Sequence, residues 1–496
     1  MVSSKKEPYI LPSNDLDAPT KRFRSTSGGN WVLALSVLTA VSMALGYICI
    51  YPVLTNGVHR AQFHATVNSH ASLCAGADGK GASHSGYIGL KGDNEDAPKR
   101  SFYWLFEAQN DSENVPVILT IGGGPGTSGI LNPLLGQSHC AIKEDGTTTS
   151  NPNAWSEHFN LLALDHPIGV GFSYGTMVNN SRDAAIDVYD FLQKFFVLFP
   201  HLSRNKFVVA GGSYGGIYVP HIATVIHEQN LALARGEGQP DAVHINLDSL
   251  MISNPWSDAL SHYRWLLKQS CDNTHLYNET ACTELYGVLP TCLEAIQYAY
   301  DFPSAQNRNA ALGTCVPLKL ADTNGTMMEN VKKKCDAADR ICWPEFAWVE
   351  KFLNNASTRE QLGIPEGVEY QAINTEVHGK FWAEGDHIQR AYLMYAPLLD
   401  DGIRVLHYIG KLDANCGWPG ILSFLRLLPS RFQEQFRDAP DVPWPSEDVA
   451  TARVIGEGAG NMTFVLMAEA GHLVVLDQPK LVKNIVEHWV DNRPFN

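Results

Sequence analysis

The chain has 496 residues, of which 45% are hydrophobic and 18% charged, an ordinary globular composition. Its formal net charge of -15, from 52 acidic and 37 basic residues, argues against nucleic acid or an anionic lipid surface as a partner. Residues 1–30 are polar and carry Lys5, Lys6, Lys21, Arg22 and Arg24. Residues 31–53 (WVLALSVLTAVSMALGYICIYPV) follow without a single charge, long enough at 1.5 Å per residue to cross a bilayer of roughly 30 Å. The basic flank predicts a cytosolic tail at 1–30 and a transmembrane signal anchor at 31–53. A cleaved signal peptide is the rival reading, disfavoured by the long n-region and the length of the apolar run. Residues 54–83 are small and polar and read as a stalk. On either reading the bulk of the chain is lumenal or extracellular, secreted or vacuolar if the segment is cleaved.

Beyond residue 84, short apolar runs alternate with helical patterns. Strands are predicted at 101–109, 115–121, 160–165, 206–211, 249–254, 403–409 and 462–468. Near-continuous apolarity marks strands covered on both faces, as in a parallel sheet. Helices are predicted at 181–200, with Ile186, Val188, Phe191, Leu192, Phe195 and Phe196 on one face, at 216–229, with Ile222, Val225 and Ile226 together, and at 479–490. This alternation indicates an α/β architecture with a mostly parallel sheet and helices on both faces. Residues 258 to 395 break the rhythm and read as a helical, disulfide-rich insertion between two core strands. Cys74, Cys140, Cys271, Cys282, Cys292, Cys315, Cys335 and Cys342 form an even set suited to disulfides, while Cys416 stands alone. None has zinc-ligand spacing and His-Glu-x-x-His is absent, so neither a metal nor a cofactor is expected. Asn110, Asn179, Asn278, Asn324, Asn355 and Asn461 head Asn-x-Ser/Thr sequons, all beyond the apolar segment.

GGSYG at 211–215 fits Gly-x-Ser-x-Gly between a strand and a helix, the nucleophile elbow of the α/β-hydrolase fold. Ser213 is the candidate nucleophile. In this fold an acid and a histidine follow in that order after strand ends, which selects Asp413 and His472. Glu469 reads as a loop carboxylate rather than the triad acid. One oxyanion donor is the amide of Tyr214. IGGGPGTSG at 121–129 offers the Gly124 amide as the second, and it lacks the Gly-Lys-Ser/Thr ending of a phosphate loop. His166 is read as packing, and HEQN at 227–230 as a helix end.

Together these segments resemble the serine carboxypeptidase family. GGGPGTSG is similar to its Gly-Gly-Pro-Gly loop, WSEHFNLLALDHPIGVGFSY (155–174) to its DQPxGxGFSY block, and GGSYGGIYVP to its GESYxGxYxP elbow. GKLDANCGWPG and AGHLVVLDQP resemble its aspartate and histidine motifs, and SGYI (85–88) and FYWLFEA (102–108) fit its N-terminal strands. The resemblance implies a triad of Ser213, Asp413 and His472, an oxyanion hole from Gly124 and Tyr214, and a Cys74–Cys140 disulfide. It further implies removal of a C-terminal amino acid through an acyl-enzyme, without a metal. Gly122, Gly123, Gly212, Trp418 and Leu473 fall at positions expected to line the substrate site.

The family binds the substrate's terminal carboxylate with an asparagine and two glutamates. Gly122, Gly136 and Gly212 stand at the matching positions. Lys411 replaces the first aspartate of the aspartate motif and is the one nearby cation that suggests itself. These departures predict a weakened preference for a free C-terminus and loss of an acidic pH optimum. Three functions remain in view: a carboxypeptidase with a degenerate carboxylate site; a hydrolase or acyltransferase on ester or amide substrates; and a non-catalytic binding protein. The partner is then a peptide or small acyl substrate. Side-chain preference and oligomeric state are not encoded in any recognisable motif.

Overall fold

Near-continuous apolar runs become the inner strands of one large sheet. The computed structural model describes residues 63–69, 73–74, 81–239, 241–335 and 342–496. The tail and apolar segment expected at 1–30 and 31–53 lie outside the described residues. Among the described residues no helix is long and apolar enough to cross a membrane.

The principal strands are β1 (Ser83–Gly89), β2 (Lys99–Phe106), β3 (Val117–Ile121), β4 (Asn160–Leu164), β5 (Phe207–Gly212), β6 (Leu247–Ser253), β7 (Arg404–Gly410), β8 (Ala450–Ile455) and β9 (Met462–Met467). They lie in the order β1-β2-β4-β3-β5-β6-β7-β9-β8, and the six from β4 to β9 in that order are parallel. The outer pairs β1/β2, β2/β4 and β8/β9 are antiparallel. In β3, Val117, Leu119 and Ile121 enter one core and Ile118 the other, the alternation of a strand buried on both faces.

Helices cover both faces. On the first lie α1 (Ser181–Leu198) and α2 (Gly215–Ala234), and on the second α3 (Pro479–Val490), through Ile485 and Trp489. The Asn180 side chain caps α1 by accepting from the Asp183 amide. Ile186, expected on its apolar face, is instead 48% exposed, because the buried stripe runs through Val188, Phe191, Leu192 and Phe195. Pro220 lies inside α2 and leaves the Gly216 carbonyl without an i+4 donor. The Ser257 hydroxyl donates to that carbonyl at 2.9 Å.

Between β6 and β7 the chain forms the expected helical region, including helices Ala259–Leu267, Glu279–Asp301, Ala305–Cys315 and Thr375–Ala383. Disulfides Cys271–Cys282, Cys292–Cys315 and Cys335–Cys342 staple it, and Cys74–Cys140 ties the N-terminal segment to the domain. Cys416 is free and buried. Four disulfides suit an oxidising compartment, lumenal or extracellular.

Two expectations need correction. The stalk at 54–83 is, in its described part, built into the domain: Asn68 and Ser69 pair with Ser85 and His84 of β1. Strand β8 went unrecognised because Arg453 interrupts its apolar pattern. That side chain is nevertheless buried, satisfied by Asp441 at 2.8 Å and the Phe436 carbonyl at 2.9 Å.

Candidate active site

Ser213 occupies the turn between β5 and α2 with φ +57, a left-handed conformation rare for a residue with a Cβ. Its amide donates to the Ser253 carbonyl at 3.0 Å, and its carbonyl accepts from Trp256 at 2.8 Å, so β6 and the chain after it hold the turn in place. Gly211, two residues before the serine, is closely packed: a Cβ there would fall 3.0 Å from Val219 Cγ2. A Cβ on Gly215 would meet nothing within 4 Å, whereas one on Gly216 would fall 2.5 Å from Pro255 Cβ and 2.6 Å from Ser257 Oγ.

Asp413 follows β7 and His472 follows β9. His472 Nδ1 lies 2.6 Å from Asp413 Oδ2. Asp413 is fully buried, and its charge is met by the amides of Asn415 at 2.8 Å and Cys416 at 3.0 Å and by Asn254 Nδ2 at 2.8 Å. Gln269 Nε2 holds the Asp413 carbonyl at 3.1 Å. Burial disfavours the His472 imidazolium, but the Asp413 charge and hydrogen bond, together with Glu329, outweigh it and hold the pKa above its ordinary value. The His472 amide is fixed by the Glu329 carbonyl at 2.6 Å. Ser213 and His472 line one cavity, and the buried Cys416 lies with Ser213 in an adjoining one. Glu469 pairs with Lys332 at the surface, and His227 pairs with Asp401 at 2.7 Å. His166 packs edge-on against Tyr218 with centroids 5.0 Å apart, its pKa pushed down to about 3 by burial.

The backbones of Gly124 and Tyr214 meet at Ser213, lining one cavity with it, and among the described residues neither amide donates to another protein group. Gly123 makes that convergence possible: a Cβ there would stand 2.9 Å from Ser213 Cβ and 3.2 Å from the Tyr214 nitrogen. The Tyr214 side chain turns away into the core, where its hydroxyl donates to Asp386 at 2.6 Å and Ser181 binds the same carboxylate. The arrangement offers a nucleophile, a base oriented by a buried carboxylate, and two vacant donors, the parts acyl transfer needs.

The serine carboxypeptidase family profile matches residues 76–492. Carboxypeptidase Y of Komagataella phaffii is 31% identical over 82% of this chain and 75% of its own length. Carboxypeptidase Y homolog A of Sclerotinia sclerotiorum is 30% identical over 82% of this chain and 73% of its own. Among solved structures, Kex1(delta)p, a prohormone-processing carboxypeptidase from Saccharomyces cerevisiae, superposes with a TM-score of 0.72 at 22% identity, covering 86% of this chain and 94% of that one, a likeness of fold. The chain belongs to the serine carboxypeptidase family. It has the α/β-hydrolase fold and is a serine hydrolase.

Set against the family pattern, the cavity holding His472 is the informative one. It measures about 360 Å³, and Gly122, Gly212 and Leu473 line it as expected. The glycines are not merely truncations. A Cβ on Gly122 would sit 2.0 Å from the Thr127 carbonyl, and one on Gly212 would sit 2.6 Å from Ser253 Oγ. Gly136 has φ +137, and a Cβ there would meet Val475 at 3.2 Å. At Gly122 and Gly212 backbone and a neighbouring side chain thus occupy the space through which family carboxylate-binding side chains would emerge, and at Gly136 the left-handed backbone disfavours any side chain.

Lys411 is exposed and lines neither of the two cavities at Ser213. Trp418 lines neither cavity either: it opens helix Trp418–Leu427 and packs half-buried against the core, turned from the site by its place in that helix. Sequence reasoning missed Gln137, Trp155, Ser253 and Glu329 in this cavity. Gln137 Oε1 and Trp155 Nε1 are buried without a hydrogen-bond partner. Trp155 opens the block at 155–174 without being marked there as a site residue; no motif marks Ser253 or Glu329, and Gln137 directly follows the aligned Gly136.

Proposed function

We propose that this protein is a serine-type carboxypeptidase that releases C-terminal amino acids from peptides, with a relaxed demand for a free terminal carboxylate. The observation that carries this reading is the 2.6 Å contact of His472 Nδ1 with the buried Asp413, in a chain that belongs to the serine carboxypeptidase family. In the proposed sequence, His472 Nε2 takes the Ser213 proton as Oγ attacks the substrate carbonyl, and the Gly124 and Tyr214 amides receive the oxyanion. His472 then protonates the leaving amine. Water repeats the steps in reverse and frees Ser213. Asp413 keeps Nδ1 protonated and balances the transient imidazolium.

The relaxed specificity follows from the leaving-group side. Among the described residues the cavity wall contains no lysine or arginine to meet a carboxylate; its buried unpaired side-chain atoms are one neutral donor, Trp155 Nε1, and one acceptor, Gln137 Oε1, beside apolar Leu131, Leu135 and Phe346. A blocked dipeptide, its amide and its methyl ester, assayed at pH 5 and pH 7.5, test the reading. All three are expected to turn over at pH 7.5. Turnover of the free acid alone, and only at pH 5, overturns the relaxed specificity. A fluorophosphonate that fails to label wild type, or that labels Ser213→Ala equally, overturns the nucleophile.

The same proposal holds residues 31–53 to be a membrane anchor with 1–30 in the cytosol. It also assigns glycans to Asn110, Asn179, Asn278, Asn324 and Asn355, whose residues are exposed. Asn461 is a poorer acceptor, since it is half-buried and its sequon partner Thr463 is fully buried. Retention in the membrane pellet after alkaline carbonate, and a mass shift on deglycosylation, test these points.

A further inference from the structure

A second cavity, of about 270 Å³, opens on the other side of Ser213 and includes Gly124, Tyr214 and Cys416 but not His472. Under the proposed mechanism the leaving amine must reach His472, so it departs through the first cavity. The second cavity therefore receives the side chain whose carbonyl is attacked. Its walls are largely aromatic, from Trp256, Tyr263 and Trp382, yet it contains Lys319 and His387.

Lys319 lies at the end of the short helical turn Val316–Lys319, which follows the Cys292–Cys315 disulfide. Its Nζ donates to Asn415 Oδ1 at 3.0 Å and approaches the Asn415 carbonyl at 3.4 Å. The same ammonium stands 4.5 Å from the centre of the Trp256 ring. Among the described residues no carboxylate pairs with it. Three donors meet two oxygens of one residue, so the cation keeps unused hydrogen-bonding capacity and lacks a counter-ion. Burial lowers its pKa, opposed by Cys416, Asp413 and Glu329, as for an ammonium short of negative charge.

His387 stands in the same cavity. It is buried, and neither ring nitrogen has a partner. Its ring is packed by Trp382 at 4.6 Å and Tyr214 at 5.2 Å, which leave its N–H unpaired. With both ring nitrogens enclosed, Lys319 is the charged donor that the aromatic walls leave facing the cavity.

We propose that this cavity selects an acidic side chain, glutamate or aspartate, at the residue whose carbonyl Ser213 attacks, with Lys319 as the selecting charge. The side chain's carboxylate would supply the counter-ion that Lys319 lacks. The assignment rests on the proposed acyl-transfer mechanism, but it does not require a free C-terminus on the substrate.

The test compares blocked dipeptides carrying Glu, Gln, Leu or Lys at the attacked residue, together with diphenyl phosphonates bearing the same four side chains. The phosphonates react with the serine whether or not a free terminus is needed. Glu is expected to exceed Gln by about 10-fold or more in kcat/KM and in inactivation rate, with Lys the slowest. Lys319→Met is expected to bring the Glu-to-Gln ratio to about one, and Lys319→Arg to keep it well above one. Fluorophosphonate labelling checks that each variant is folded. Equal rates for Glu and Gln in wild type, or an unchanged ratio in Lys319→Met, overturn the assignment. If no dipeptide is cleaved while the phosphonates still discriminate, the carboxypeptidase reading fails and the acidic selectivity stands.

Discussion

Asn254 Nδ2 and His472 Nδ1 converge on the same oxygen, Asp413 Oδ2, at 2.8 and 2.6 Å. Asn254 lies just past the end of β6 with φ +38, and its Oδ1 accepts from the Gly410 amide at 3.0 Å. One side chain therefore links the strand beside the nucleophile to the loop bearing the acid, and fixes which Asp413 lone pair faces His472. Asn254→Ala is expected to lower kcat/KM by roughly 10-fold to 100-fold, the worth of a hydrogen bond to a charged group. Because Asn254 acts through Asp413, the loss should fall on kcat, with KM little changed. Steady-state kinetics on an activated ester checks this.

With His472 as the proposed general base, its raised pKa is expected to set the acid limb of activity. A general base works only when neutral, so kcat/KM must fall as pH drops through a folded value that lies above 6.5. Between pH 7.5 and pH 5 the fall is expected to be at least about 30-fold, the change in neutral fraction for a pKa at or above 6.5. Removing Lys319, whose charge pushes the His472 pKa down, should move that limb upward. A pH profile of wild type and Lys319→Met on a neutral ester substrate reads both effects.

Restoring the family's carboxylate-binding side chains one at a time should fail, for steric reasons. Gly212→Glu places a Cβ against Ser253 Oγ at 2.6 Å, so the single variant is expected to melt several degrees lower, consistent with about 1–3 kcal/mol of overpacking. The pair Gly212→Glu with Ser253→Gly removes that clash. It should recover the melting temperature and raise the acid-over-amide ratio at pH 5. Gly122→Asn has no such remedy, because its obstacle is the Thr127 carbonyl at 2.0 Å, and it is expected to yield little folded protein.

Ser257 and Pro220 form a local compensation whose energy is open to measurement. Ser257→Ala strips the Gly216 carbonyl of its donor and should cost about 1 kcal/mol. Pro220→Ala restores a backbone N–H in α2, so the same serine change in that background should cost less. Denaturant titration of the four proteins in this cycle gives the coupling directly.

Much of the fold was legible because burial on both faces leaves a plain mark: β3, β4, β5, β7 and β9 are apolar almost throughout. Ser213 was legible because a strand, a Gly-flanked serine and a helix are contiguous in sequence. Asp413 and His472 were legible because each follows its own apolar run. What escaped depends on contacts between distant segments. Strand β8 hides behind Arg453, whose charge is met only once Asp441 folds beside it. Ile186 matches helical spacing, yet no other element covers it. Lys319, Glu329 and His387 come from a region without a periodic pattern, and only folding gathers them around Ser213. Gly122, Gly136 and Gly212 read in sequence as missing side chains, whereas in space the first and last have their places taken by the Thr127 carbonyl and Ser253 Oγ, and Gly136 has a left-handed φ of +137.

Strands β3 and β5 run side by side with Thr120 opposite Ala210, and the two amides proposed to receive the oxyanion sit just beyond their ends, at Gly124 and Tyr214. A slip of one residue between these strands, about 3.3 Å, would carry one amide away from the other by more than a hydrogen-bond length. Turnover is thus a ruler laid across the centre of the sheet. A refolded preparation with full helical signal but altered strand pairing will be silent, and specific activity will separate correctly threaded molecules from compact misfolded ones.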